Sequence, residues 1–115
     1  MSPLDVSEAL PITTAEAFDR WLRRHGGSER EVIIGIYKKG SGKQTVTFET
    51  LLETAFCHGW VDTQTKRIDD ERYALRFVPR RKVSNWSDRN RQIVRRLRDE
   101  GRLTEAGIAS LPADL

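Results

Sequence analysis

The sequence predicts an α+β domain: a small, three-stranded, mainly antiparallel sheet packed against about four helices. Three observations carry this. Several stretches repeat apolar residues at helical steps, each opened by Ser or Thr and closed by Gly or Pro. Residues 31–39 are dense in branched side chains, as a buried strand is. Residues 60–79 hold two extended runs around Asp69-Asp70-Glu71, which reads as a hairpin. At 115 residues the chain is expected to form one domain, 1–115, with 1–12 as an N-terminal extension.

The elements follow in order. Thr13-Thr14-Ala15-Glu16 has capping-box spacing, with Thr13 expected to accept from the third helical amide. Phe18, Trp21, Leu22 and His25 then share one helical face, and Gly26-Gly27 ends the helix. Val32, Ile33, Ile34, Ile36 and Tyr37 make the strand, whose end leads into Gly40-Ser41-Gly42-Lys43. That loop lacks the Walker spacing and is expected to be a simple strand-end connection. Thr47 should cap a helix over 48–58 with Phe48, Leu51, Leu52, Ala55 and Phe56 as its apolar stripe, closed by Gly59. In the hairpin, Tyr73, Leu75 and Phe77 alternate with Arg72, Ala74, Arg76 and Val78. A one-residue change of register decides whether Asp62 or Thr63 shares a face with Phe77. Ser84 and Ser87 are rival caps for a helix carrying Trp86, Asn90, Ile93, Val94 and Leu97, and a short helix starts near Thr104.

Charge is distributed unevenly. Residues 1–75 carry 10 basic and 12 acidic side chains, whereas 76–102 carry 10 basic and 3 acidic. One basic segment is thus joined to a mildly acidic body, and the functional question is what that segment meets. The single cysteine, Cys57, excludes an intramolecular disulfide and a thiolate zinc site. With His25 and His58 the only histidines, no metal site is expected, and nothing calls for a cofactor. The opening residues do not resemble a secretory signal and no apolar run is long enough to cross a membrane, so a soluble, cytoplasmic protein is expected.

The most informative passage is Arg76-Phe77-Val78-Pro79-Arg80-Arg81, followed by Ser84-Asn85-Trp86-Ser87 and Asn90. Cations just before a helix start, where amides are unpaired and the dipole is positive, suit an anion, and arginine can pair with one bidentately. The plainer alternative is that a serine caps the helix, Trp86 packs, and the arginines meet water or Asp69, Asp70 and Glu71. Asp62, beside Trp60, could orient a ligand or act as a general acid or base, or it could anchor Lys66, Arg76 or Arg80. Cys57 and His58 are neighbours about 100° apart on a helix, so instead of a catalytic pair Cys57 is expected to be a small core or rim residue and His58 a residue of the last helical turn, where a cation is favoured. The outer arginines of the basic helix, Arg91, Arg95, Arg98 and Arg102 among them, offer a nucleic-acid surface as an alternative, although Arg95 with Asp99 and Arg96 with Glu100 have pairing distance in sequence.

These residues also carry a resemblance. Gly59-Trp60-Val61-Asp62, the passage from Arg76 to Asn90 and the stretch LRDEGRLTEAG over 97–107 resemble the YdeI/OmpD-associated, or bacteriocin-protection, family, and Trp21-Leu22 and Tyr37-Lys38-Lys39 fit its pattern. The resemblance implies a small bacterial cytoplasmic protein of the stress or bacteriocin-resistance type, without the separate basic C-terminal segment of longer members. Combined with the local chemistry, it points to a non-enzymatic ligand-binding or interaction domain. The expected site, for an anionic small molecule or acidic peptide, comprises Lys38, Trp60, Asp62, Arg76, Arg80, Arg81, Ser84, Trp86, Ser87 and Asn90.

Overall fold

A computed structural model describes residues 3–81 and 85–115. Its elements are α1 (Ala15–His25), β1 (Val32–Tyr37), α2 (Phe48–Cys57), β2 (Trp60–Arg67), β3 (Arg72–Pro79), α3 (Asp88–Asp99) and α4 (Glu105–Ala109), preceded by a single 3₁₀ turn at Val6–Glu8. The three strands form an antiparallel sheet in the order β1-β3-β2. The α+β architecture is therefore as the sequence predicts.

Strand β3 lies in the middle, so its two faces sort the rest of the chain. Tyr73, Leu75 and Phe77 face the helices, as do their β1 partners Ile36, Ile34 and Val32. Phe18 of α1 reaches this layer and meets Phe77 with ring centroids 5.1 Å apart. Each aromatic or branched side chain removed from water here contributes roughly 1.5–3 kcal/mol. Helix α2 is the hub of the helical layer, packing on α1, α3, α4 and β2. Its role follows from its sequence, because Leu51, Leu52, Ala55, Phe56 and Cys57 are all buried.

The opposite face of the sheet is not left to water. Residues 3–10 lie across it, burying Leu4 against Ile33 and Ala74, with Val6, Ala9 and Ile68 around them. Ile12 belongs to the main core. The segment expected to be an extension is thus packed as part of the domain.

The caps refine the sequence reading in two places. Helix α1 is capped by Thr14, whose hydroxyl accepts from the Ala17 amide, rather than by Thr13. Helix α3 is capped by Ser87, which accepts from the Asn90 amide; Ser84, the rival cap, lies outside the described residues. In the hairpin Asp62 pairs with Phe77, and a bulge follows that brings Gln64, not Thr63, opposite Arg76.

Helix α4 docks on the end of α2 at close range. Thr104 donates both its amide (2.9 Å) and its hydroxyl (2.8 Å) to the Cys57 carbonyl. Gly107 is buried there, and a methyl group added to it would collide with that same carbonyl. Gly107→Ala should therefore lower stability by about 1–3 kcal/mol in urea unfolding, whereas Gly27→Ala, with no atom within 4 Å of the added methyl, should be close to neutral.

Candidate functional site

The basic passage is positioned by a turn and a ladder. Gly59 closes α2 with a positive φ of 76°, and a side chain there would press on the Ala106 carbonyl at 2.7 Å. The Gly59 carbonyl in turn accepts the Arg80 amide at 2.8 Å, one step beyond the Trp60 to Pro79 pair that ends the hairpin. Arg80 is thereby fixed where β3 leaves the sheet. Its guanidinium lies 3.8 Å from the centroid of the Trp86 ring and 5.5 Å from that of Phe56. The two rings are 6.1 Å apart at 57°. A guanidinium stacked on an aromatic face gains cation–π attraction while its N–H groups stay in its own plane.

One of those groups is used internally, since Nη1 donates to the Asn85 carbonyl at 3.2 Å. Burial pushes the Arg80 guanidinium below the usual arginine range, and the field of the Asp62 carboxylate works in the opposite direction. It remains a cation in any ordinary buffer. Asp62 makes no hydrogen bond or ion pair among the described residues, and its field reaches Arg80. Ser87 spends its hydroxyl on the Asn90 amide, leaving the amides of Asp88 and Arg89 outside the intrahelical ladder of α3. Asp62, Arg80, Trp86, Ser87 and Asn90 are therefore brought to one end of the domain, with Arg81 exposed beside them.

Three expected members lie elsewhere. Lys38 donates its amide to the Glu71 carbonyl, at the far end of β3 from Arg80; about nine residues of strand separate those levels, about 30 Å. Arg76 projects from the opposite face of the sheet, because positions 76 and 77 of a pleated strand point apart. It is 1% exposed, donating to the Gln64 side-chain oxygen at 2.7 Å and the Pro3 carbonyl at 3.0 Å, with Glu31 at 3.3 Å. Trp60 is buried in the main core, edge-on to Trp21 at 5.7 Å. Ser84 is not among the described residues.

The outer arginines of α3 are mostly engaged. Arg91 pairs with Asp114 at 2.9 Å and Arg98 with Asp99 at 3.4 Å, while Arg102 meets Glu53 and Glu100 at 3.5 and 3.4 Å. Arg96 pairs with Glu100 as its spacing predicts, and more closely with Glu53 at 2.8 Å. Among the described residues Arg95 makes no ion pair; its expected partner Asp99 pairs with Arg98. Asp69, Asp70 and Glu71 hold Arg72, Arg67 and Lys43, not the arginines of the basic passage.

Two features had no sequence signal. Phe56, part of the apolar stripe of α2, also forms the second wall around Arg80. The ring of His58, nearly buried, meets Asp19 across 39 residues of chain, with Nε2 at 2.7 Å from Oδ1, while Arg23 Nε donates to Oδ2 at 2.7 Å. This clamp ties α1 to α2 at a cavity of about 440 Å³ lined by Asp19, Arg20, Arg23, Thr54, Cys57 and Arg102. Burial pushes the Cys57 thiol up, which makes it a poor nucleophile.

Together these features define a class: a small α+β domain whose helical layer and sheet converge on an aromatic-clamped arginine at one end. The chain belongs to the family described as Domain of unknown function (DUF8412), which matches residues 10–110. No curated protein and no solved structure matches it.

The clamp yields a pH prediction. Burial raises the Asp19 carboxyl, but the hydrogen bonds from His58 and Arg23 outweigh it and hold the group below its ordinary value of 3.8. A depressed folded value means that the unfolded chain takes the proton first, so this stabilisation is full above about pH 5 and lost as pH falls through the folded value. Asp19→Asn should cost about 1 kcal/mol at neutral pH, a modest figure because Asp19 is partly open to water. The gap between the variant and the parent in urea midpoint should narrow steadily from pH 5 towards pH 2.

Proposed function

We propose that this chain is a non-enzymatic ligand-binding or interaction domain, with its recognition site where β3 ends and α3 begins. The observation that carries this reading is Arg80, stacked on Trp86 with Phe56 beside it and within the field of the Asp62 carboxylate. The guanidinium is planar, the geometry that suits a planar oxyanion. The start of α3 adds amides and the positive end of its dipole, and Arg81 adds an exposed cation. Asp62 and the first-turn Asp88 temper this field. A monoanionic carboxylate, on a small molecule or an acidic peptide, therefore suits the site better than a phosphate dianion, which both acids would repel.

The motif likeness to the YdeI/OmpD-associated family supports placing this recognition in a bacterial, cytoplasmic stress- or bacteriocin-protection setting. The nucleic-acid alternative is weakened by the ion pairs of Arg91, Arg98 and Arg102, since a cation already neutralised releases fewer counterions on binding a phosphate backbone.

A thermal-shift panel of monocarboxylates, dicarboxylates, phosphate and nucleotides, at matched ionic strength, tests the reading. A carboxylate should stabilise the parent protein, and Arg80→Ala with Arg81→Ala should weaken its binding about tenfold or more. Arg80→Lys should lose most of the effect, because a point charge does not reproduce the planar donor edge. Equal stabilisation of the parent and the double variant by every anion would end the proposal.

A further inference from the structure

The segment 3–10 closes the second face of the sheet by a small set of separable contacts. Arg76 and Lys66 donate to the carbonyls of Pro3 and Leu4 at 3.0 and 3.3 Å. At the other end Leu10 forms a single parallel bridge to β1, with its amide on the Ile33 carbonyl (2.8 Å) and its carbonyl on the Gly35 amide (3.1 Å). Leu4 is the one buried hydrophobic side chain in the segment. A cavity of about 280 Å³ borders the end of the segment, lined by Ala9, Leu10, Pro11, Thr13, Tyr37 and Thr45 among others.

A joint follows immediately. The Ile12 amide bonds to the Leu10 carbonyl at 2.9 Å, making a three-residue turn centred on Pro11. Rotation about this turn detaches 3–10 without breaking any bond of the three-stranded ladder. The family match begins at residue 10, where the segment joins the rest of the domain. An opened molecule, however, would expose Ile33 and Ala74 and strip Arg76 of its Pro3 acceptor, so the face needs an occupant. The occupant whose fit is visible in the structure is this same segment. Supplied by a second molecule, it restores every contact that was lost, which is the condition for exchange of an element between identical chains.

We infer that segment 3–10 exchanges between two copies of this chain, each laying its segment on the Arg76 face of the other. A closed monomer and an exchanged dimer then contain the same local contacts, and concentration sets their ratio.

The geometry offers a direct probe, because a Cβ at position 35 would lie 3.4 Å from the Ala9 Cβ, close to the ~3.5–4.5 Å of a disulfide. The full-length Ala9→Cys, Gly35→Cys variant is incubated reduced at a series of concentrations, oxidised, and separated by non-reducing electrophoresis. Exchange predicts a covalent dimer whose fraction rises with the incubation concentration. Only an intramolecular cross-link at every concentration would overturn the inference, including where the protein is a dimer through some other surface. Sedimentation velocity on the unsubstituted protein gives a second readout independent of the cysteines: exchange predicts a monomer–dimer equilibrium, and a monomer throughout the series would also overturn it.

Discussion

A guanidinium buried in the middle of a sheet has to be answered from all sides, and Arg76 is answered by three separate stretches of chain. Glu31 comes from the entry to β1, Gln64 from β2 and the Pro3 carbonyl from the segment that crosses the face. Removing such a charge from water is expensive unless its hydrogen bonds are met. Gln64 meets its share only because of the bulge after Asp62, which advances β2 by one residue. The same bulge leaves Asp62 on the side of Phe77, towards the helices and the Arg80 end of the domain. Burial of Arg76 is thus linked to the register of the hairpin, to the position of segment 3–10 and, through Asp62, to the electrostatics of the candidate site.

On the other face α2 plays the organising part. Phe56 joins the core and forms a wall around Arg80, His58 reaches Asp19 on α1, and the Cys57 carbonyl receives Thr104 before α4. Helix α2 and its cap residue His58 therefore contribute to packing, to the clamp between helices and to the candidate site. The Arg80 guanidinium lies beside Phe56, a side chain of the core, and its backbone amide is held by the Gly59 carbonyl. Such support suits recognition of a defined ligand geometry.

Most of the architecture was legible in the sequence because its signals are local. Helical stripes, the caps at Thr47 and Thr104, and the alternation of Tyr73, Leu75 and Phe77 all depend on near neighbours. The site was legible only in part. Arg76 and Arg80 are four residues apart, and composition alone groups them; the pleat, together with the end of the strand, sends them to different surroundings. Lys38 is separated from Arg80 by the length of β3, a distance that no motif records. The bulge and the Asp19–His58 clamp depend on pairings across the fold, and the choice of Thr14 over Thr13 turns on the phase of a single helical turn.

Strand β3 separates two nearby arginines, Arg76, which holds the sheet together, and Arg80, at the site proposed for a ligand. Side-chain Nε–H NMR spectra of the ¹⁵N-labelled protein, recorded during titration with a monocarboxylate such as acetate, test it residue by residue. The Arg80 resonance should move with saturation while that of Arg76 stays in place. Movement of Arg76 alone, or the same drift of both without saturation, would contradict it.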